Sequence, residues 1–195
     1  PQPIREEYLL TGPLESTNEP YAIAKIAGLK LAQAYNREYG RRYVTIMPTN
    51  LYGPGDNFDL ENGHVLAALL AKIDSAHRAG RDTVEIWGSG TPRREFLYVD
   101  DLADACVLLM GKTTTDEMFN VGTGQDLPIL ELAQRIAETV GYTGSFVLDR
   151  SRPDGTPVKR LDVSRLARLG WRATTTLEEG LARTYDWYCQ CRARP

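Results

Sequence analysis

The chain has 195 residues, 42% of them apolar and 25% charged, with a formal net charge of −3. That composition suits an ordinary globular α/β or mixed protein with one core, or one and a half small ones. It offers no basic stripe for nucleic acid, no apolar run long enough to cross a membrane and no charged-then-apolar leader.

In chain order, Pro1 opens a loop-like stretch, PQPIREEYLLTGPLESTNEP, which reads as the middle of a longer protein. Asn18 or Thr17 can cap a helix, and Pro20 is tolerated in its first turn. The spacing predicts this helix over Glu19 to Tyr39, stopped by Gly40. Ala22, Ile26, Leu29 and Ala32 form one apolar face; Ala24, Ala27 and Leu31 give a second, so burial on two sides is expected. YVTIMPT is β-branched and apolar, a buried strand, and NLYGPGDN reads as a loop. Residues 64–77 carry Val65, Leu66, Leu69, Leu70 and Ile73 at helical spacing. TVEIWG is a strand, SGTPRR a turn and EFLYV a short strand. Asp100 or Asp101 caps a third helix ending near Met110. MFNVG is a strand, 128–140 a helix closed by Gly141, and SFVLD a strand. RSRPDGTPVK is a loop, VSRLARLG a short helix, and 177–189 a last helix. The alternation argues for α/β with a largely parallel sheet, and the polar loops allow a second lobe. Cys106, Cys189 and Cys191 make no disulfide framework and lack the companions zinc needs, so a reducing cytoplasm and no metal are expected.

Tyr21 and Lys25 lie four apart, on one helix face. A free phenol has a pKa of about 10 and is a poor proton donor at neutral pH; a neighbouring ammonium favours the phenolate. The pair therefore suits proton transfer to a carbonyl under reduction, and spacing alone equally suits a solvated surface pair. His64 follows a glycine at a helix start. It can exchange protons near neutral pH or simply meet solvent. Trp87 presents an aromatic face or packs in the core. Arg94 and Lys159, beside turns, fit a diphosphate or plain surface charge.

YAIAKIAGLKLAQAYNREYG followed by YVTIMPTNLYGPGDN resembles the extended short-chain dehydrogenase/reductase family, and the likeness runs on through VEIWGSGTPRREFLYVDDLADA, MFNVGTG and RPDGTPVKRLDVSRLARLGW. NEPYAIAKIAG, MPTNLYGPGDNF, NGHV and GTPRREF in that order resemble its GDP-L-fucose synthase branch. The resemblance implies an NADPH-dependent epimerase-reductase acting on GDP-4-keto-6-deoxy-D-mannose. It implies that Tyr21 protonates the C4 oxygen, that Lys25 tunes it and holds the nicotinamide ribose, and that His64 is the epimerisation acid/base. Tyr21, Lys25, Pro48, Asn50, Leu51 and His64 would border the cofactor. Asn50, Val65, Leu69, Lys72, Trp87, Arg94, Asp154 and Lys159 would hold the nucleotide sugar, with Trp87 at the guanine, Asp154 at a ribose hydroxyl, and Arg94 and Lys159 at the phosphates. Lys72 stands where the family has an arginine. The family's serine and second, cysteine base would fall ahead of Pro1, and no G-x-x-G-x-x-G occurs in the sequence.

The expected architecture is the C-terminal part of a Rossmann-type parallel sheet plus a smaller α/β substrate lobe. Residues 1–52 and 100–124 fall in the first, and 53–99 and 125–195 in the second. Relatives pair the first helix across a two-fold axis, so a homodimer is expected. The alternatives are another nucleotide-sugar 4-epimerase or 4,6-dehydratase, or a non-catalytic piece that binds a nucleotide sugar or a partner.

Overall fold

The computed structural model describes residues 1–60, 63–112 and 117–193. Among them the chain runs through α1 (Glu19–Tyr39), β1 (Thr45–Pro48), β2 (Asn50–Tyr52), α2 (Val65–Arg78), β3 (Thr83–Trp87), β4 (Arg93–Tyr98) and α3 (Val99–Lys112). It continues with β5 (Met118–Val121), β6 (Asp126–Pro128), α4 (Ile129–Val140), β7 (Ser145–Asp149), β8 (Val158–Lys159), α5 (Ser164–Arg168) and α6 (Leu177–Arg192). Glu61 and Asn62, within the ENGH stretch, lie outside the described residues. None of the described helices is long and apolar enough to cross a membrane.

The architecture is α/β with mainly parallel pairing, of Rossmann type. β1 runs parallel to β5, β2 to β4, and β3 to β7, while β4 also takes β8 in parallel and β6 antiparallel. Asn50–Tyr52, expected as loop, is strand β2, because Asn50, Leu51 and Tyr52 find register partners in Phe96, Leu97 and Tyr98. Three residues are too few to show a period in sequence; here pairing makes the strand.

β4 stands between two apolar clusters. Phe96 and Tyr98 face one, with Leu66, Leu70 and Ile73 of α2, Val84 and Ile86 of β3, Leu132 and Ile136 of α4, and Leu181 of α6. Leu97 faces the other, with Ala105 and Leu109 of α3, Phe119 and Val121 of β5, Leu166 and Trp171. Alternate residues of a strand point to opposite faces, so one strand walls both cores.

Helix ends follow the sequence closely. Gly40 and Gly141 close α1 and α4 in the left-handed conformation, at φ 59° and 81°, where glycine carries no Cβ penalty. Thr176 and Glu179 form a capping box at the start of α6. Asp101, expected as a cap, does another job. Its carboxylate accepts from the Thr174 hydroxyl and from the N–H groups of Thr174 and Thr175, tying α3 to the segment before α6. On α1 the face of Ala22, Ile26, Leu29 and Ala32 turns inward. The second apolar face, expected to be buried, is open in the single chain, and Ile23, Leu31, Tyr35 and Tyr39 are exposed.

α6 is clamped to α2 by Asp74, whose side chain is fully buried. It accepts from Arg78 Nε at 2.9 Å, from the Tyr185 hydroxyl at 3.1 Å and from Arg192. Burial alone would raise its pKa, but the bonds from Arg192, Arg78 and Tyr185 outweigh it and hold the carboxyl below the usual range. A depressed carboxyl stabilises the fold above its unfolded pKa, about 3.9, and that contribution fades as pH falls through the folded value. Both arginines are partly open to water, which weakens the pairs. Asp74→Asn is expected to cost about 2 kcal/mol at pH 7, with the gap to the parent narrowing below pH ~4. Urea denaturation at the two pH values checks both statements.

Candidate active site

Tyr21 and Lys25 occupy the first two turns of α1. Lys25 Nζ lies 5.4 Å from the centre of the Tyr21 ring, and Tyr21 is 60% exposed. The pair thus sits with its charge over an open aromatic ring, flanking the inward face of the helix.

β1 ends at Pro48, opposite Val121 at the end of β5. Thr49 then steps the chain from one pairing to the next. Its N–H donates to Val121 O at 3.0 Å and its hydroxyl to Glu95 O at 3.1 Å. The Asn50 side-chain amide donates to the same Glu95 carbonyl at 2.7 Å. Carboxyl ends of parallel strands are where such sheets bind ligands. Pro48 is exposed there, while Asn50 and Leu51 are half-buried, Leu51 against the second cluster.

His64 is the residue before α2, with its ring 81% exposed and Nδ1 3.7 Å from Oδ1 of Asp56. One residue on, Val65 is exposed, but Leu69 is buried in the first apolar cluster. Lys72 reaches out of α2 to 3.9 Å from Glu85 Oε1, and to 5.7 Å from the centre of the Trp87 ring. Trp87, at the end of β3, is half exposed and donates its indole N–H to Glu85 at 3.2 Å. Arg152 lies over the same ring at 4.8 Å. Sequence reasoning missed Arg152. It sits in the RSRPDG loop, and only the β3–β7 register, with Trp87 opposite Asp149 three residues earlier, brings it to the tryptophan.

Asp154 accepts the Ser89 N–H at 2.6 Å and the Ser89 hydroxyl at 2.8 Å. Those bonds hold its carboxyl below the usual range. They also fix the β3–β4 turn, where Gly88 has φ 79° and any Cβ would strike Asp154. Arg94 donates to Thr156 O at 2.6 Å and Arg93 O at 2.9 Å, and burial lowers its pKa. Lys159 is its register partner on β8 and is exposed. Lys72, Trp87, Asp154, Arg94 and Lys159 therefore form one linked patch, through the Ser89 turn and the 154–156 backbone. Among the described residues no hydrogen bond or ion pair joins Tyr21 or Lys25 to His64 or to that patch.

An open cavity of 670 Å³ lies elsewhere, lined by Arg93, Asp126, Glu131, Arg135, Trp171 and Thr174 among others, and by none of the residues singled out from sequence. Two of its arginines are paired, Arg93 with Asp126 and Arg135 with Glu131, each at 2.7 Å. No cluster of three metal-ligating side chains occurs among the described residues. Tyr21, Lys25 and Pro48 are all exposed and so open to a ligand. The glycine turn after β5 does not fit a pyrophosphate: a Cβ at Gly122 would run into the Glu95 carboxylate, so that cradle is already filled from within.

Residues 1–122 match the model of the NAD dependent epimerase/dehydratase family. The chain is 54% identical to GDP-L-fucose synthase of Escherichia coli (strain K12), over 99% of this chain and 63% of that protein. It is also 54% identical to putative GDP-L-fucose synthase 2 of Arabidopsis thaliana, over 97% and 58% respectively. It thus spans less than two thirds of these curated relatives. Among solved structures, a GDP-L-fucose synthetase from Naegleria fowleri bound to NADP gives a TM-score of 0.93 at 32% identity, over 100% of this chain and 63% of that one. A GDP-6-OMe-4-keto-L-xylo-heptose reductase from C. jejuni gives 0.89 at 33%, over 98% and 66%. Strand pairing, the helix-borne tyrosine and lysine, and a family model that covers well over half of the sequence agree on kinship: the chain belongs to the NAD dependent epimerase/dehydratase family.

Proposed function

We propose that the whole protein is an NADPH-dependent epimerase and reductase that converts GDP-4-keto-6-deoxy-D-mannose to GDP-L-fucose. The observation that carries this reading is the open Tyr21–Lys25 pair in the first two turns of α1, with the ammonium 5.4 Å from the centre of the phenol ring. The likeness to GDP-L-fucose synthases over nearly the whole chain supports the substrate. NADPH supplies the hydride. Tyr21 gives its phenolic proton to the C4 oxygen as that oxygen gains charge, and the Lys25 ammonium steadies the phenolate left behind. His64, exposed at the start of α2, exchanges protons at the carbons beside the ketone. Trp87 offers a stacking face to guanine, and Val65 and Leu69 of α2 complete that site. Lys72, Arg94 and Lys159 supply positive charge for the diphosphate, and Asp154 accepts from a ribose hydroxyl. Pro48, Asn50 and Leu51 border the nicotinamide. A second reading, reduction of a GDP-linked 4-keto sugar without epimerisation, draws support from the C. jejuni reductase likeness; product analysis separates the two.

The two apolar clusters support a dinucleotide lobe of 1–52 and 100–124 and a substrate lobe of 53–99 and 125–195, although Leu97, Leu166 and Trp171 pack in the dinucleotide-lobe cluster and Tyr52 in the other. The free thiols of Cys106, Cys189 and Cys191 suit a cytoplasmic setting. The outer face of α1, with Ala24, Ala27, Leu31 and Tyr35 opposite Leu29 at 100° per residue, supports an isologous homodimer through this helix.

Tyr21→Phe in the whole protein is expected to slow reduction by about 10²–10⁴-fold and to leave GDP binding nearly unchanged. NADPH absorbance and calorimetry read the two, and a parental rate in the variant defeats the proposal. Light scattering of the whole protein at micromolar concentration is expected to give a dimer, and Leu31→Glu to shift it toward monomer. A monomeric parent rules out the α1 interface.

A further inference from the structure

Below the exposed His64 lies a carboxylate that the proposed reaction has not yet used. Asp56 is in the loop between β2 and α2, and its side chain is only 13% exposed. Oδ1 accepts the Asn57 N–H at 2.7 Å and lies 3.7 Å from His64 Nδ1. Oδ2 is buried with no hydrogen-bond partner among the described residues. A buried carboxylate oxygen without a donor is costly, and its presence asks for a reason.

The loop that carries Asp56 is built to hold it. Asp56 N–H donates to Gly53 O at 3.3 Å, Asp59 N–H to Asn57 Oδ1 at 3.1 Å, and Gly63 N–H to Asp59 O at 3.0 Å. A Cβ at Gly63 would strike the carbonyls of Asn57 and Asp59, so only glycine lets the loop close on itself and deliver His64 over Asp56. Phe58 pins the loop to α6, its ring 4.8 Å from that of Tyr188 and 6.0 Å from that of Trp187.

We infer that Asp56 is the positioning residue for His64: it accepts Nδ1–H, fixes the ring, and leaves Nε2 as the atom that meets the sugar. The inference rests on the epimerase role proposed for His64. In the protonation step the carbon beside the ketone forms its C–H bond with the enolate electron pair, and the Nε2–H bond breaks. The ring left behind is neutral, with its remaining proton on Nδ1, where a carboxylate acceptor lies. An orienting carboxylate of this kind selects the tautomer and aims the ring. Unliganded geometry is often looser than that of the working complex, which suits the 3.7 Å separation.

The chain has two histidines, His64 and His77, so ¹⁵N-histidine labelling gives a probe and an internal control. In the native chain the neutral His64 ring is expected to carry its proton on Nδ1. In Asp56→Ala that preference is lost, while the His77 signals stay put. A native His64 protonated on Nε2, or a tautomer indifferent to Asp56→Ala, overturns the pairing; the native spectrum decides even if the variant does not fold. In the whole protein, Asp56→Ala is expected to lower solvent-deuterium incorporation into the keto sugar by about 10–100-fold, the usual worth of an orienting partner, with KM little changed. Undiminished incorporation overturns the positioning role. His64→Asn tests the underlying reading separately: incorporation that survives it overturns the epimerase role of His64, whatever the tautomer spectrum shows.

Discussion

The carboxylate of Glu95 sits where the two cores meet, and the main chain is arranged around it. Oε2 accepts the Leu161 N–H at 2.8 Å; Oε1 accepts the Gly124 N–H at 2.7 Å and the Thr123 hydroxyl at 3.5 Å. Burial pushes this carboxyl up, and the bonds from Leu161, Gly124 and Thr123 draw it part of the way back. The same residue's carbonyl takes Thr49 and Asn50. One residue of β4 therefore joins the step between β1 and β2, the turn after β5 and the segment after β8. Every partner of the carboxylate is a donor, so an uncharged apolar substitute would strand buried N–H groups at about 1–3 kcal/mol each. The placement of Thr49 and Asn50, and of Pro48 just before them, depends on this hub.

The sequence was legible where a signal is local. The α1 boundaries, the glycine stops at Gly40 and Gly141 and the inward face of Leu29 were all there in spacing and residue type. It was not legible where the structure is made by pairing at a distance. β2, β6 and β8 are two or three residues long and exist because β4 lies alongside them. Asp101 looks like a cap in sequence, but Thr174 and Thr175 claim it from 73 and 74 residues away. Glu95 reads as a lone charge in EFLYV, and no periodicity announces that its partners lie in three remote segments. The same limit hid Arg152 from Trp87. Asp56 lies eight residues before His64, close enough to be noticed, yet only the closed loop shows that the two face each other.

Several residues singled out for ligand contact also hold the structure together, and this constrains their chemistry. Asp154 has both oxygens engaged by Ser89, so a ribose hydroxyl must share them; a carboxylate has the lone pairs for that. Arg94 points two bonds at backbone carbonyls, which fixes its guanidinium beside Lys159 before any phosphate arrives. Lys72 trades the planar fork of arginine for a point charge, steadied by Glu85 and the Trp87 ring. Arg152 covers part of the ring that a purine would use, so base binding at Trp87 requires that arginine to move aside or stack on the outer face of the base.

The two halves of the proposed chemistry rest on different foundations. His64 is set by a loop pinned through Phe58 to α6, and α6 is locked to α2 by the buried Asp74. Tyr21 and Lys25 ride on a helix that buries only Leu29 and leaves its second apolar face open. Apolar surface of that extent is stabilised by whatever covers it, and the cover also fixes the roll of α1. A rotation of one residue position would swing Tyr21 by 100° about the helix axis. In the proposed chemistry, reduction would therefore be more sensitive than epimerisation to what packs against α1, because among the described residues no hydrogen bond or ion pair anchors Tyr21.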